Sequence, residues 1–253
     1  MGAQISYTLG YTMDKSTHAI TLATTQLEED ILFGRLRPRE RLIEDELIER
    51  LKTSRHVVRQ ALAELERMGM AVRIPNKGAI VRDFSRDEIG QISEVREILN
   101  AKAASLISLP ADAALLQRME KLQRQHTAAV KQGDPARIHQ ANNAFHEELF
   151  AACGNTYLAQ TIRDYAQLSL AFRCHLMTNP SHAERARDEH LAMISALKTG
   201  DRKELSRLCV EHIRPSQQVY IALQGWSAGP SQAAAVTGGK PVPTRTANRV
   251  RVR

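Results

Sequence analysis

Apolar residues recur every three or four positions over most of the chain, which is the spacing of one face of an α-helix. Within residues 17–68 this pattern predicts three short helices: one ending near Gly34, one over about 44–51, and one that begins after Ser54. Two apolar runs, 71–74 and 79–81, then flank Pro75-Asn76-Lys77-Gly78, which is typical of a β-hairpin. Three helices followed by a hairpin predict a winged helix-turn-helix over residues 17–84.

The following region, residues 85–225, has helical periodicity throughout and is interrupted only at short breaks rich in Pro, Gly and Asp. The breaks divide it into six predicted helices, at about 86–108, 111–131, 134–153, 156–178, 182–199 and 201–224. Short connections favour antiparallel neighbours, so we expect a six-helix bundle and a mainly α protein. Ser85 and Ser181 are candidate N-caps, Asp134-Pro135 is a helix start, and Pro215 should kink or split the last helix near Arg214.

The two ends of the chain and its bulk composition add limits. Residues 1–16 are polar and predicted to be flexible, and residues 226–253 are predicted to be a disordered basic tail. The tail contributes much of the net charge of +7, so charge alone is a weak argument for nucleic-acid binding. The absence of a long apolar stretch or an apolar leader, together with three widely spaced cysteines, predicts a cytoplasmic protein without membrane spans.

The predicted third helix carries a polar face suited to DNA. Arg55 and Arg59 lie four residues apart and so share one face, which His56 extends, while the apolar residues point the other way. An arginine fork matches the two acceptors of guanine in the major groove, and Ser54 at the helix start can contact a phosphate. Arg35 and Arg41, which precede the second helix, are predicted to supply further phosphate contacts. Lys77 and Gly78 at the hairpin tip can approach the DNA backbone or the minor groove, because glycine permits close contact. The alternative is a small helical unit with solvated surface arginines.

This region resembles the DNA-binding domain of the GntR family. The resemblance is carried by Ile31, Gly34, Leu36, Pro38, Leu42, Leu47, Leu51, Ser54-Arg55, Val58-Arg59, Ala61-Leu62, Leu65, Gly69, Pro75, Gly78 and Val81. It implies a homodimer that binds a short palindromic operator in double-stranded DNA, with base or phosphate contacts from Arg55 and Arg59. Two positions differ from the family pattern. Lys52 stands where a turn glycine is common, and Asp45 stands where some members have a DNA-contacting arginine.

Histidines in the second region suggest a metal site. Asn142 and His146 lie four residues apart on the predicted third bundle helix, while His190 and His212 lie on the fifth and sixth. Three imidazoles and an amide from three helices can converge inside a bundle, and imidazole suits Zn, Ni, Fe or Cu. A lone helical histidine is more often solvated or hydrogen-bonded, and from spacing alone that interpretation is favoured.

A second resemblance bears on these histidines. Asn142-x-x-Phe145-His146, Gly154-Asn155, Glu189-His190, Gly200-Asp201 and His212-Ile213 resemble the FCD sensor domain of the FadR subfamily, in its six-helix VanR-like form. The resemblance implies a divalent transition metal such as Zn or Ni, bound by an Asp and three His, with a carboxylate effector completing the coordination. Asn142 replaces that Asp, and an amide oxygen is a weaker ligand, so binding of the effector without a metal stays open.

Arginines are the candidates for holding the effector. Arg96 matches a family arginine that can face the sensor cavity, where it could clamp a carboxylate, and a surface or interhelical salt bridge is an equal alternative. Arg173 is a further candidate. Together these features predict a DNA-binding transcription regulator, not an enzyme, that is controlled by a small carboxylate. The rival interpretations are a helical metalloenzyme with a winged-helix docking module and a DNA-architectural protein that has no ligand-sized cavity.

Overall fold

The computed structural model describes residues 15–74, 78–170, 172–173 and 179–215 of the chain. Its first part contains three helices and three short strands: α1 (Lys15–Leu32), β1 (Arg41–Leu42), α2 (Glu44–Leu51), α3 (Arg55–Arg67), β2 (Ala71–Ile74) and β3 (Gly78–Val81). The strands form an antiparallel sheet in the order β1-β3-β2. The predicted helices and hairpin are therefore confirmed, and β1 is an addition that the sequence pattern did not reveal.

The buried faces of these elements make one apolar core. Leu27 of α1, Val58 and Leu65 of α3, and Val81 of β3 are fully buried within it. The turn between α2 and α3 is tight because Lys52 adopts a left-handed conformation, with φ 49° and ψ 47°. Ser54 then caps α3, accepting a hydrogen bond from the backbone N–H of Val57. This turn sets the direction of α3 relative to α2.

The second part contains six well-defined helices: α4 (Arg86–Leu106), α5 (Ala113–Gln132), α6 (Pro135–Ala151), α7 (Thr156–Leu168), α8 (Pro180–Thr199) and α9 (Arg202–Glu211). Helix α5 packs against α6 and α8, and α4 packs against α7 and α9. A second apolar core, which includes Phe145, Leu149, Met193 and Leu197, fills the space between them. The mainly α fold class, a winged helix-turn-helix followed by a helical domain, is confirmed.

Local sequence signals explain where most of these helices begin and end. Ser85 and Glu88 form a reciprocal capping box at the start of α4, and Asp134 caps α6 ahead of Pro135. The expectation that Ser181 caps a helix was wrong. The cap of α8 is Asn179, whose side chain accepts a hydrogen bond from the backbone N–H of Ser181, because Pro180 already occupies the first helical position.

The last described residues show the effect of Pro215. Helix α9 ends at Glu211, His212 and Ile213 form a turn, and Arg214 and Pro215 are again helical. A proline disrupts the helix over the turn that precedes it, since it has no N–H and its ring meets the carbonyl four residues earlier. The predicted break is therefore confirmed, and it lies at His212.

A short segment after α7 connects the two parts of the molecule. Leu170, Phe172 and Arg173 are helical residues on this segment. Leu170 is buried in the core of the winged part, while Phe172 packs edge-on against Phe84 with ring centroids 5.5 Å apart. Lys77, the predicted disordered tail at 226–253 and residues 1–14 lie outside the described residues. The N-terminus was predicted to be flexible over residues 1–16, and this was wrong for Lys15 and Ser16, which begin α1. Within the described chain, no helix is long and apolar enough to cross a membrane.

Candidate DNA-binding face and effector cavity

Helix α3 divides into a buried and an exposed side. Val57 and Val58 are buried, whereas Arg55, His56 and Arg59 are exposed at the N-terminal half of the helix, next to the exposed cap Ser54. This is the half of a recognition helix that enters the major groove in winged and other helix-turn-helix proteins. The structure therefore brings these four predicted contacts onto one accessible surface.

Both arginines of this surface are held by acids from the first turn of α2. The Arg55 guanidinium lies 2.6 Å from a carboxylate oxygen of Asp45, and Arg59 lies 2.9 Å from Glu44. All four side chains are largely solvent-exposed or at the surface edge, so these pairs contribute little to stability and can be exchanged for phosphate contacts. In the sequence Asp45 stands out only as a departure from a family pattern. Its pairing with Arg55 was not predictable, because it depends on the angle between two helices.

The remaining predicted DNA contacts are more dispersed. Arg35 is bound to the buried carboxylate of Asp30, which also receives Arg50, so it has a structural partner within the winged part. Arg41 is exposed in β1, and Gly78 is exposed at the start of β3 with φ +82°. That left-handed φ favours glycine at this end of the wing. Lys77 lies outside the described residues.

A cavity of about 270 Å³ opens between the helices of the second part. Its lining includes Arg96, Asn142, His146, Arg173 and His212, which are five of the predicted sensor residues. Two further lining residues, Glu28 and Leu170, reach it from α1 and from the core of the winged part. The cavity is in the size range of a small organic acid, at the lower end of ordinary ligand pockets. The DNA-architectural interpretation requires a helical domain without a ligand-sized cavity. The structure has such a cavity and therefore does not favour that interpretation.

Three histidines converge at one side of this cavity. The Nε2 atom of His146 lies 3.0 Å from Nε2 of His212 and 3.2 Å from Nε2 of His190, and candidate ligand atoms of all three lie within 4.8 Å of one another. Metal–imidazole bonds of about 2.0–2.1 Å place two nitrogens on one ion about 3 Å apart or slightly more. The two separations from His146 are therefore close to those of imidazole ligands that share a single transition-metal ion.

Neighbouring side chains orient two of these rings. Glu189 lies 2.6 Å from Nδ1 of His212, and Gln123 Oε1 lies 3.1 Å from Nδ1 of His190. The Gln123 amide nitrogen donates to the backbone carbonyl of Arg187, which leaves its oxygen to accept from His190. Both Nδ1 atoms thus act as donors, and both Nε2 atoms present a lone pair to the cluster, as in the histidine sites of metalloproteins.

Burial favours the neutral form of two of these histidines. The pKa values of His146 and His190 are held well below the usual range, first by burial and then by electrostatic interaction with neighbouring histidines. Only neutral imidazole binds a metal, so this environment keeps the ligands ready. Asn142, one turn before His146 on α6, is buried at the cavity wall and has no hydrogen-bond partner among the described residues. The donor set fits a divalent metal with an amide in place of an acidic ligand.

The two candidate effector arginines face the same cavity. Arg96 is only 7% exposed, and neither it nor Arg173 forms a hydrogen bond or ion pair with any described residue. The interhelical salt bridge considered for Arg96 is therefore absent from the described part of the chain. Burial lowers the pKa of Arg96 to about 9, with repulsion from Arg173 as a second cause, and burial lowers that of Arg173 to about 10.

Sequence reasoning missed several residues of this site. His126 is fully buried beside His190, with ring centroids 4.8 Å apart, and both of its ring nitrogens lack a partner among the described residues. Glu189 and Gln123 orient the histidine cluster, and Glu28 comes from the other part of the chain. Only Glu189 carried a signal, since it precedes His190 in the quoted motif, and its role depends on packing that no spacing rule gives.

Known protein families match the winged part and the helical part of the chain separately. Residues 22–81 match the model described as bacterial regulatory proteins, gntR family, and residues 91–215 match the FCD domain. The chain is 24% identical over 203 residues to the uncharacterized HTH-type transcriptional regulator YdhC of Bacillus subtilis, covering 80% of this chain and 91% of YdhC. It is 24% identical over 182 residues to the gluconate operon transcriptional repressor of Bacillus licheniformis, covering 70% and 74%.

A solved structure has the same fold. Escherichia coli McbR/YncC aligns with 83% of this chain and 99% of its own, with a TM-score of 0.65 and 20% sequence identity. The relatives are named as transcription regulators, and the metalloenzyme interpretation finds no support among them.

Proposed function

Because the chain belongs to the GntR family of bacterial regulatory proteins and carries an FCD domain, we propose that it is a transcription regulator whose DNA affinity is set by a small carboxylate effector. The observation that carries this proposal is the exposed face of α3. Arg55 and Arg59 stand together on it, directly opposite a fully buried face. A helix with such an exposed basic face can enter the major groove of DNA.

The DNA contacts divide by type. Arg55, Arg59 and His56 reach base edges in the major groove, and Ser54 at the start of α3 binds a phosphate. The wing contributes Lys77 and Gly78, while Arg41 and Arg35 approach the phosphate backbone. The protein acts as a homodimer, so that two α3 helices about one turn of DNA apart recognise a palindromic operator. An acid on α2 must release each arginine before it contacts DNA.

The effector occupies the cavity in the helical part. Arg96 and Arg173 clamp its carboxylate, since both line the cavity and neither forms an ion pair or hydrogen bond with a described residue, whereas the lining residue Arg163 is exposed and donates to Gln160. His146, His190, His212 and Asn142 would hold a divalent transition metal, which would offer the effector a Lewis-acid coordination position. Effector binding changes the placement of α3 relative to its copy in the dimer, and it does so because the effector prefers one arrangement over the other.

The relatives' names favour regulation over catalysis. One of them is called a repressor, and we propose repression relieved by the effector as the mode of action. We also propose that the chain has no enzymatic activity and that it works in the cytoplasm, where its DNA lies. The domain division at residues 84 and 85 belongs to the same proposal.

Selection of duplexes from a random DNA library by the purified full-length chain tests the DNA half. An inverted repeat should be enriched, and Arg59→Ala should lose specific binding while keeping its fold by circular dichroism. Arg124→Ala, a matched change of an exposed arginine on α5, should bind the repeat normally. Unchanged specific binding by Arg59→Ala would exclude α3 as the recognition helix.

A further inference from the structure

The charges around the effector cavity do not cancel. Three acidic residues line it, namely Glu28, Glu147 and Glu189. Glu189 is bound to His212 and to Arg185, both at 2.6 Å, and Glu147 is exposed. Glu28 is half-buried, and its pKa is raised first by burial and then by the neighbouring Glu29, which favours its neutral form. None of the three forms an ion pair with Arg96 or Arg173.

The two arginines are therefore an uncompensated pair. Arg96 is almost completely buried, and Arg173 is close enough to lower its pKa by repulsion. Both remain charged at neutral pH, since their pKa values stay near 9 and 10. A buried cation without a partner destabilises the folded protein, because nothing offsets the cost of removing its charge from water. A site of this kind is complete only when an anion is bound.

The other polar groups of the cavity supply no negative charge. Asn100 and Asn142 are buried amides at its wall, and the Asn100 side chain donates to the backbone carbonyl of Cys209. Of the other lining arginines, Arg185 is paired with Glu189, and Arg163 is exposed and donates to Gln160. Arg96 and Arg173 are thus two positive charges at the cavity without an ion-pair partner in the described chain, and one carboxylate would neutralise only half of them.

We infer that the effector of this cavity is a small dianion, with one negative charge for each of Arg96 and Arg173. This inference rests on the proposed function, because it specifies the ligand of the same effector site. Two chemical sources share this property: a dicarboxylate, whose two groups each face one guanidinium, and a phosphate or phosphate ester, whose oxygens can bridge both. A cavity of about 270 Å³ restricts either to a compact molecule.

Thermal unfolding of the full-length chain in EDTA at pH 7.5, with ionic strength held constant by NaCl, tests the inference. The probes are inorganic phosphate, succinate and glutarate, each at about 10 mM, against the monoanions butyrate and valerate of the same chain lengths. At least one dianion should raise Tm by several degrees, since a ligand that binds only the native state stabilises it by mass action. The monoanions should give less than about a third of that shift. A response to phosphate alone identifies the phosphate source, and a response to a diacid alone identifies the dicarboxylate.

Variants tie the response to the arginines. Arg96→Met and Arg173→Met should each lose the dianion shift, and without anion each should melt higher than the wild type because the repulsion is gone. Arg124→Met, an exposed arginine on α5, should keep the shift. If a methionine variant does not fold, Arg96→Lys retains the charge but lacks the fork, and it should show a reduced shift.

Two results would overturn the inference. Equal shifts from monoanions and dianions would mean that one charge is enough, and the proposed carboxylate effector would survive. No shift from any of the five probes would remove the arginine pair as a dianion site. Enrichment of an inverted repeat in the DNA selection is independent of both results, so it separates failure of the ligand class from failure of the proposed regulator.

Discussion

Lys52 occupies a turn position whose backbone conformation is unfavourable for a residue with a side chain. It has a left-handed φ of 49° at the end of α2, a conformation that costs a residue with a side chain on the order of 1 kcal/mol. Glycine avoids this cost but loses more entropy on folding. We expect Lys52→Gly to raise the free energy of unfolding by about 0.5 kcal/mol, measured by urea denaturation.

The neighbouring residue gives the matched control. Thr53 does not have a positive φ, so Thr53→Gly brings only the entropic penalty and should lower the free energy of unfolding. A loss of stability in Lys52→Gly as large as that in Thr53→Gly would show that the left-handed lysine is not strained.

Asp45 is the residue that we expect to compete most directly with DNA for Arg55. Its carboxylate holds Arg55 at 2.6 Å and lies at the surface that a phosphate backbone would approach. Asp45→Asn frees the arginine and removes a negative charge, so DNA affinity should rise roughly threefold or more at about 0.1 M salt. Fluorescence anisotropy with the selected duplex and with an unrelated duplex measures the change.

A charge-matched change elsewhere separates the local effect from net charge. Glu120→Gln also removes one acid, but on α5 of the helical part. It should leave DNA affinity nearly unchanged. If Asp45→Asn and Glu120→Gln behave alike, the pair between Asp45 and Arg55 has no role in DNA binding.

Among the elements, those with several turns of periodic sequence were predictable. Helices α2 and α3 and the hairpin strands β2 and β3 begin and end close to the positions that apolar spacing and the Ser54 cap indicated. Strand β1 was not predictable, because two residues cannot show an alternating pattern. Its pairing with β3 joins residues that are far apart in the sequence. The α8 cap was misplaced by two residues, since Asn179 and Ser181 are both good caps and Pro180 decides between them.

The site was predictable to a similar extent. Helical spacing placed Asn142 and His146 on one face of α6, and the convergence of His190 and His212 on them was expected mainly from the family resemblance. What spacing could not give is the set of contacts between elements, such as Glu189 with His212 or Asp45 with Arg55. Those depend on crossing angles and on the turn that Pro215 produces at His212.

Helix α6 offers a direct test of the metal ligands. It presents Asn142 and His146 one turn apart toward the cavity, and a carboxylate binds a divalent cation more strongly than an amide does. Asn142→Asp should therefore raise the affinity for Co²⁺ by about tenfold or more, measured by its visible absorption in competition with a chelator.

The adjacent position serves as control for the added charge. Asn143 also lines the cavity, but its side chain is engaged with His139 at 3.0 Å. Asn143→Asp should change Co²⁺ affinity much less. Equal gains at both positions would indicate a general effect of charge, and no gain at position 142 would remove Asn142 from the ligand set.

At the scale of the whole molecule, the end of α7 and the segment that follows it connect the cavity to the DNA-binding part. Leu168 lies against Gly69, where an added Cβ would come within 2.5 Å of its Cδ1 atom. Leu170 is buried in the winged core, Phe172 packs on Phe84, and Arg173 lines the cavity. Close-packed contacts of this kind transmit displacement because they have no free volume to absorb it.

This arrangement predicts a variant that binds the effector but does not respond to it. Leu168→Ala removes the contact with Gly69 and leaves Arg96 and Arg173 in place, so the Tm shift with the most stabilising dianion should persist. The change that this anion causes in operator affinity should fall by at least about half, because coupling requires the two parts to move together. Leu158→Ala is the matched control, since Leu158 is a partly buried leucine on the same helix that packs on the other core. Full coupling in Leu168→Ala would mean that the signal leaves the cavity by another path, and Glu28 on α1 would be the next residue to change.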